Sequence, residues 1–200
     1  MKTLLISIKI FLFFTFLTGI LYPLLITGIA QLTLPAQANG SLISKNNKIV
    51  GSELIGQHFD SVVYFSSRPS AISNNPLPSG GSNFGLTNAK LKHSVDSLKI
   101  QFIIFNQLDP STTIPSEMLF ASASGLDPHI SKEAALLQVD RIARARNFNS
   151  DSKERILQCV KTMTETPQFL CLGEERINVL MLNLELDKIA ANHLTKTTNY

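Results

Sequence analysis

Residues 10–34 read IFLFFTFLTGILYPLLITGIAQLTL, and no charged side chain occurs from Ile10 to Ser44. At about 1.5 Å of rise per residue the stretch makes roughly 37 Å of helix, more than the ~30 Å hydrocarbon core of a bilayer. It predicts one transmembrane helix over 10–34. A cleaved signal peptide is the rival, because Lys2 and Lys9 form a basic start and Ala36-Gln37-Ala38 reads as a small-x-small cleavage site. Signal-peptide cores run only about 7–15 apolar residues, so the length favours a retained anchor. Lys2 and Lys9 stand before the span, whereas Lys45 and Lys48 lie well beyond it. The asymmetry predicts a cytoplasmic segment 1–9 in a cell inner membrane and a periplasmic C-terminal domain.

Within the span, Thr15, Gly19, Pro23, Thr27 and Ala30 recur at spacings of four and three. Such a stripe of small side chains lets a second transmembrane helix approach closely, which matters where lipid supplies no hydrophobic drive for helices to associate. Pro23 removes a backbone donor and predicts a kink.

Working outward, 35–47 reads as a polar linker and 48–200 as one α+β (mixed α/β) domain, large enough for a single core. The net charge of +3 is small for 200 residues, and the basic residues form no block, which argues against nucleic acid as a partner. Cys159 and Cys171 are too few for a disulfide framework and match no zinc spacing. Outside the cytoplasm a single bridge between them becomes possible.

Ile49-Val50 and 62–65 (VVYF) look like short strands, and 66–88 (SSRPSAISNNPLPSGGSNFGLTN) is dense in turn formers. A structureless loop of that length is generally functional or disordered. An amphipathic helix is expected over 89–105, with Leu91, Val95, Leu98, Phe102 and Phe105 on its apolar face. A weak strand follows at 118–121. The next helix starts from Asp127-Pro128 or from Ser131 and runs to about Arg146, with Ala135, Val139, Ile142 and Ala143 inward and Lys132, Asp140, Arg141 and Arg144 outward. A further helix from near Asp151, with Glu154 at its third position, completes a helical hairpin. Leu180, Leu182, Leu184 and Leu186 alternate with polar residues, which predicts a strand with one buried face.

The stretches GSELIGQHF (51–59), YFSSRPSA (64–71), PSGGSNFGLTN (78–88), ASASGLDPHIS (121–131), QVDRIARARN (138–147) and LGEERINVLMLNLELD (172–187) occur together and in this order. They resemble the C subunit of the bacterial Kdp potassium-transporting P-type ATPase over nearly the whole chain. The sequence departs from that pattern at Asn74, where a Tyr is usual, at Glu175, where a Pro is usual, and at Met163, where a His is usual. The resemblance implies a complex with a potassium-translocating subunit, a P-type ATPase subunit and a small membrane peptide, together pumping potassium with ATP. It also implies a subunit that helps assemble the complex and, as a catalytic chaperone, raises the ATP affinity of the ATPase subunit.

The residues themselves offer little catalytic chemistry. No DKTG-like phosphate-accepting aspartate and no GxxxxGK[ST] loop occurs, so ATP and potassium are expected to be handled by the complex, with no cofactor bound tightly to this chain. The Ser79-Gly80-Gly81-Ser82-Asn83 turn could offer backbone N–H groups to an anion and is similar to an ATP-binding signature. The orientation set by the flanking lysines, however, places it away from cytoplasmic ATP. Gly80 and Gly81 are expected at positive φ. Asp127, His129 and Asp140 match no known metal-ligand spacing, and Asp-Pro is a natural helix start. Arg68 and Pro69, beside Tyr64 and Phe65, read as structural or as part of a contact surface. Two other classes stay open: a membrane-anchored enzyme, for which no nucleophile and base pair is assignable, and a membrane-anchored periplasmic binding module independent of a pump. The candidate partner contacts are therefore Thr15, Gly19, Pro23 and Thr27 in the span, and Arg68, Pro69, Ser79, Gly80, Gly81, Ser82, Asn83, Asp127 and His129 in the domain.

Overall fold

The computed structural model describes residues 2–169 and 171–197, so residue 1 of the expected N-terminal segment and residues 170 and 198–200 of the expected domain lie outside the described residues. The chain divides into two compact units, Met1–Ser52 and Glu53–Tyr200. In the first, one helix runs unbroken from Lys2 to Thr33, long and apolar enough to cross a membrane, with none of its apolar window buried. It consists of α1 (Lys2–Phe16), a π-helical turn (Leu17–Leu21) and α2 (Tyr22–Thr33).

Pro23 explains the π turn. A proline has no N–H, and its ring collides with the carbonyl four residues back, here that of Gly19. Tyr22 N–H donates instead to Leu17 O, five residues back, and the widened turn absorbs the mismatch without ending the helix. Four residues overshoot one α-helical turn, and the wide turn subtracts from that overshoot between Gly19 and Pro23. Thr15, Gly19, Pro23 and Thr27, all exposed, thus run closer to one line than an ideal helix allows.

The stretch read as a linker carries regular structure: α3 (Pro35–Ala38), then β1 (Leu42–Lys45) paired antiparallel with β2 (Lys48–Ser52). Asn46 and Asn47, at φ 53° and 60°, form the two-residue hairpin loop, where left-handed conformations match the strand twist and Asn tolerates them. A bulge interrupts the register between Ile43 and Ser44.

The second unit contains α4 (Ala89–Asn106), a 3₁₀ turn (Ser116–Met118), β3 (His129–Ile130), α5 (Lys132–Ala145), α6 (Ser150–Thr162), β4 (Ile177–Asn178) and α7 (Val179–Thr197). The expected mixture of helix and strand is present. The helical hairpin is too, with Val139 and Ile142 of α5 and Ile156 and Val160 of α6 buried in one core. Asn88, Ser131 and Asn149 cap α4, α5 and α6 by accepting from Lys90, Ala134 and Ser152 N–H. Ser131 is therefore the start of α5, and Asp127 is free for other work. Because Asn149 caps α6, Glu154 falls beyond the third position. Residues 118–121 form no strand, since the chain there leaves a 3₁₀ turn.

The leucine alternation at 180–186 belongs to a helix. Val179, Leu182, Asn183 and Leu186 are buried with Leu180, at spacings of three and four. A leucine at every second position satisfies a helix face as well as a strand face, and the five leucines and two alanines among nineteen residues favour the helix. Asn178 caps it, accepting from Met181 N–H at 3.1 Å.

Residues 62–65 are likewise not a strand, and their backbone is held by side chains. Asn183 accepts from Phe65 N–H at 2.8 Å and donates to Phe65 O at 2.9 Å. Gln138 does the same for Ser66, at 2.7 and 3.3 Å. Arg141 donates to Val62 O and Tyr64 O, and Arg146 to Val63 O. Every carbonyl from Val62 to Ser66 thus meets a side-chain donor from α5, its C-cap Arg146, or α7. Arg141, expected outward, is only 3% exposed, because burial is tolerable for a cation whose donors all find acceptors. Phe65, fully buried, is pinned at the centre of the core by this clamp.

Candidate functional site

Segments far apart in sequence are laced together around Asp127. Gly56 N–H donates to Leu126 O at 2.7 Å, Ser122 N–H to Pro69 O at 3.2 Å, and Gly80 N–H to Ser124 O at 3.1 Å. Ser70 Oγ donates to Gly125 O at 2.7 Å, and Asn74 Nδ2 to Gly56 O at 3.3 Å. The motifs at 53–59, 64–71, 78–88 and 121–131 therefore build one loop assembly with no helix or strand of its own until β3.

Glycine permits the close approaches. A Cβ on Gly56 would stand 2.5 Å from Asp127 O. On Gly125, at φ +69°, it would stand 2.4 Å from Ile72 Cγ1 and 2.9 Å from Gly80 O. Gly80 and Gly81 do not adopt the positive φ expected of them. Gly81 is needed for contact, its Cβ position being 3.0 Å from Ala123 O, whereas Gly80 faces open space. The left-handed residue of that turn is Asn83, at φ 53°. Ser79, Ser82 and Asn83 are exposed, and the Gly80 N–H is taken by Ser124 O, so the turn is no ready cradle for an anion.

Arg68, Asp127 and His129 come together. Arg68 Nη1 lies 2.6 Å from Asp127 Oδ2, while Asp127 Oδ1 accepts from the His129 backbone N–H at 3.0 Å and lies 3.5 Å from His129 Nδ1. Burial by itself would raise the Asp127 carboxyl. The His129 side chain and N–H, with the Arg68 charge, outweigh it and hold the carboxyl at about 2. Asp140 is elsewhere, paired with Lys153 at 2.7 Å, and among the described residues no cluster of three His, Cys, Asp or Glu side chains could hold a metal. Cys159 and Cys171 are free thiols. Burial pushes the Cys159 thiol up to about 11. Thr15, Gly19, Pro23 and Thr27 belong to the helical unit.

One feature was not anticipated from sequence. A groove of about 640 Å³ runs between Ser66–Ser70 and the C-terminal half of α4, floored by Leu98, Phe102, Phe105 and Met118. The apolar face of α4 was readable, but the loop that walls the groove has no periodicity to place it.

The chain matches the family model described as K+-transporting ATPase, c chain, over residues 4–188. It belongs to the KdpC family. Among its relatives, the Potassium-transporting ATPase KdpC subunit of Burkholderia ambifaria is 46% identical over 96% of this chain and 100% of that protein. That of Dechloromonas aromatica is 46% identical over 95% and 100%. The subunit of Allorhizobium ampelinum is 46% identical over 89% and 92%. Where this KdpC-family chain departs from the expected pattern, local geometry accommodates it. Asn74 is left-handed at φ 58°, a conformation Asn tolerates. Glu175 is exposed and Met163 closes α6 beside Cys159.

The lowered Asp127 carboxyl makes stability pH-dependent. An unfolded Asp titrates near about 3.9, so the charged cluster stabilises the fold above that pH and is lost as pH falls toward 2. Between pH 5 and 2.5 the wild-type chain should lose about 1–2 kcal/mol more than Asp127→Asn, measured by chemical unfolding at each pH. Parallel curves for the two proteins would remove the cluster from the stability of the loop assembly.

Proposed function

We propose that this chain is a non-catalytic subunit of an ATP-driven potassium uptake complex. It stabilises the assembly of a potassium-translocating subunit, a P-type ATPase subunit and a small membrane peptide, and it raises the affinity of the ATPase subunit for ATP. The observation that carries the reading is the family match over 4–188 in a chain without a phosphate-accepting DKTG-like run or a phosphate loop. Phosphoryl transfer needs such groups to position and stabilise the transferred phosphoryl, so the chemistry belongs to another subunit. Lys2 and Lys9 ahead of the span support an N-terminus in the cytoplasm and a domain outside it. With that orientation the effect on ATP affinity is transmitted through the assembled complex, not by contact with the nucleotide. The line of Thr15, Gly19, Pro23 and Thr27 offers the close approach that a neighbouring transmembrane helix requires.

The test is potassium-stimulated ATP hydrolysis by the complex purified from membranes with and without this chain. Loss of the stimulated rate on omission, its return on adding the chain back, and no turnover by the chain alone are expected. ATP turnover by the isolated chain, or full activity of the complex lacking it, would overturn the reading.

A further inference from the structure

Charge is divided unevenly between the two compact units. Met1–Ser52 carries Lys2, Lys9, Lys45 and Lys48 and no Asp or Glu, whereas the other fourteen basic residues share Glu53–Tyr200 with all fifteen acidic ones. The net positive charge of the chain thus belongs to the unit that holds the long apolar helix. Two of its lysines stand at the start of that helix, and two follow it in the β1–β2 hairpin.

The hairpin is fastened to the end of the helix. Leu34 N–H donates to Ala30 O at 2.8 Å, Ala38 N–H to Leu34 O at 2.9 Å and Ser41 N–H to Ala36 O at 2.8 Å. The side-chain amides of Gln31 and Asn39 bond each other at 3.2 and 3.3 Å, and Ser52 Oγ closes the base of the hairpin on Gly40 O at 2.7 Å. Helical positions 10–33 make about 36 Å, little more than a hydrocarbon core, so α3 and the hairpin follow at headgroup depth. Among the described residues of this unit only Ser52 is buried, and a two-stranded hairpin that buries no apolar side chain is marginal in water. The register pairs Ser44 with Ile49 and Lys45 with Lys48, and alternation along β1 puts Leu42 on the Ser44 face. One face therefore carries Leu42 and Ile49, 55% and 65% exposed, and the other carries the two lysines, both exposed. An apolar face backed by a basic one is the pattern of an element lying in a membrane interface.

We infer that the β1–β2 hairpin lies on the bilayer surface, with Leu42 and Ile49 toward the acyl boundary and Lys45 and Lys48 among the phosphates of anionic phospholipids. The inference rests on reading Lys2–Thr33 as a membrane span and names the ligand met at its C-terminal end. Charge and position select the occupant. A unit without a carboxylate side chain attracts anions, and a hairpin that begins nine residues after Thr33 has the headgroup layer as its nearest anionic surface.

The chain contains no tryptophan, so Ile49→Trp on the hairpin and Leu136→Trp on α5 each supply a single emitter. Both are read in the full chain reconstituted into phosphatidylcholine vesicles with and without phosphatidylglycerol, the acyl chains brominated near the carbonyl. Emission from Ile49→Trp should be quenched, more strongly with phosphatidylglycerol, and that from Leu136→Trp should not. Lys45→Gln with Lys48→Gln should lower the ratio of docked to free hairpin about twentyfold, roughly fivefold for each lysine at an anionic surface, whereas Lys45→Arg with Lys48→Arg should keep it. In native membranes, benzoylphenylalanine in place of Ile49 should cross-link to phospholipid. A cross-link to a subunit peptide, quenching indifferent to phosphatidylglycerol or to the two Gln substitutions, equal quenching of both tryptophan variants, or none in a chain that resists alkaline carbonate extraction overturns the inference. Release of the full chain from native membranes by carbonate is a different result, which removes the span and this inference with it.

Discussion

Arg141→Met should destabilise the soluble unit by about 3–5 kcal/mol, most of what a domain of this size possesses. The substitution keeps the unbranched apolar stem, which packs near Phe105 where the guanidinium lies 4.4 Å from the ring centroid. What it removes is the set of donors to Val62 O, Tyr64 O, Asn106 Oδ1 and Gln138 Oε1. Gln138 Oε1 keeps the Ser66 N–H, but the other acceptors sit in or beside the core, where water cannot replace a lost partner, and each unsatisfied buried group costs about 1–3 kcal/mol. Burial lowers the Arg141 pKa to about 10, so the residue is still charged at neutral pH, and its charge is spread over carbonyl dipoles without a carboxylate. Arg141→Lys should fall between, because one ammonium does not reproduce the fork that spans two carbonyls. Urea unfolding of the full chain, read by protection of residues 53–197 from protease, measures the loss. A change under about 1 kcal/mol for the Met variant would mean that the clamp contributes only geometry.

Gly56→Val should separate the loop assembly from the core in effect. Its Cβ would meet Asp127 O at 2.5 Å and Leu126 O at 3.1 Å, both backbone atoms with no side-chain freedom to yield. Either segment 53–59 or segment 126–127 must move, and the Gly56 N–H bond to Leu126 O breaks in the process. The expected cost is about 2–4 kcal/mol, and Arg68 loses the fixed position of Asp127. In the assembled complex, potassium-stimulated ATP hydrolysis should drop about tenfold or more if the loop assembly serves the partner, while the helices of the domain remain by circular dichroism. Wild-type activity from a folded Gly56→Val chain would exclude the loop assembly from function.

How much of this was legible depends on which physics wrote the element. The span, α4 and the α5–α6 hairpin follow from apolar periodicity and capping residues, both local, and the sequence shows them directly. Leu180 to Leu186 misled because a leucine at every second residue fits either period, and only helix propensity over the full length of α7 decides between them. Val62 to Phe65 misled differently. Its β-forming composition does reflect a backbone that needs partners, but the partners are Asn183, Gln138, Arg141 and Arg146, which no local pattern reveals. Arg141 reads as solvent-facing for the same reason, since its backbone acceptors Val62 O and Tyr64 O lie 79 and 77 positions earlier in the chain. Of the candidate site, Arg68, Asp127 and His129 were singled out one by one, and their convergence required the fold. The Asn46-Asn47 hairpin lies within reach of turn chemistry, but the polar residues around it read equally well as a linker.

The clamp on 62–66 also sets an order of events at the ribosome. The residue that brackets Phe65 lies 118 positions later, and at about 5–20 residues per second its synthesis follows by roughly 6–24 s. Throughout that interval the nascent chain has its long apolar N-terminal helix complete, while VVYF, a sequence inclined to pair with any strand edge, lacks the amide that will occupy it. Premature termination anywhere before Asn183 would therefore leave a polypeptide whose centre never closes. It is α7, the carrier of Asn183, that finishes this earlier part of the core.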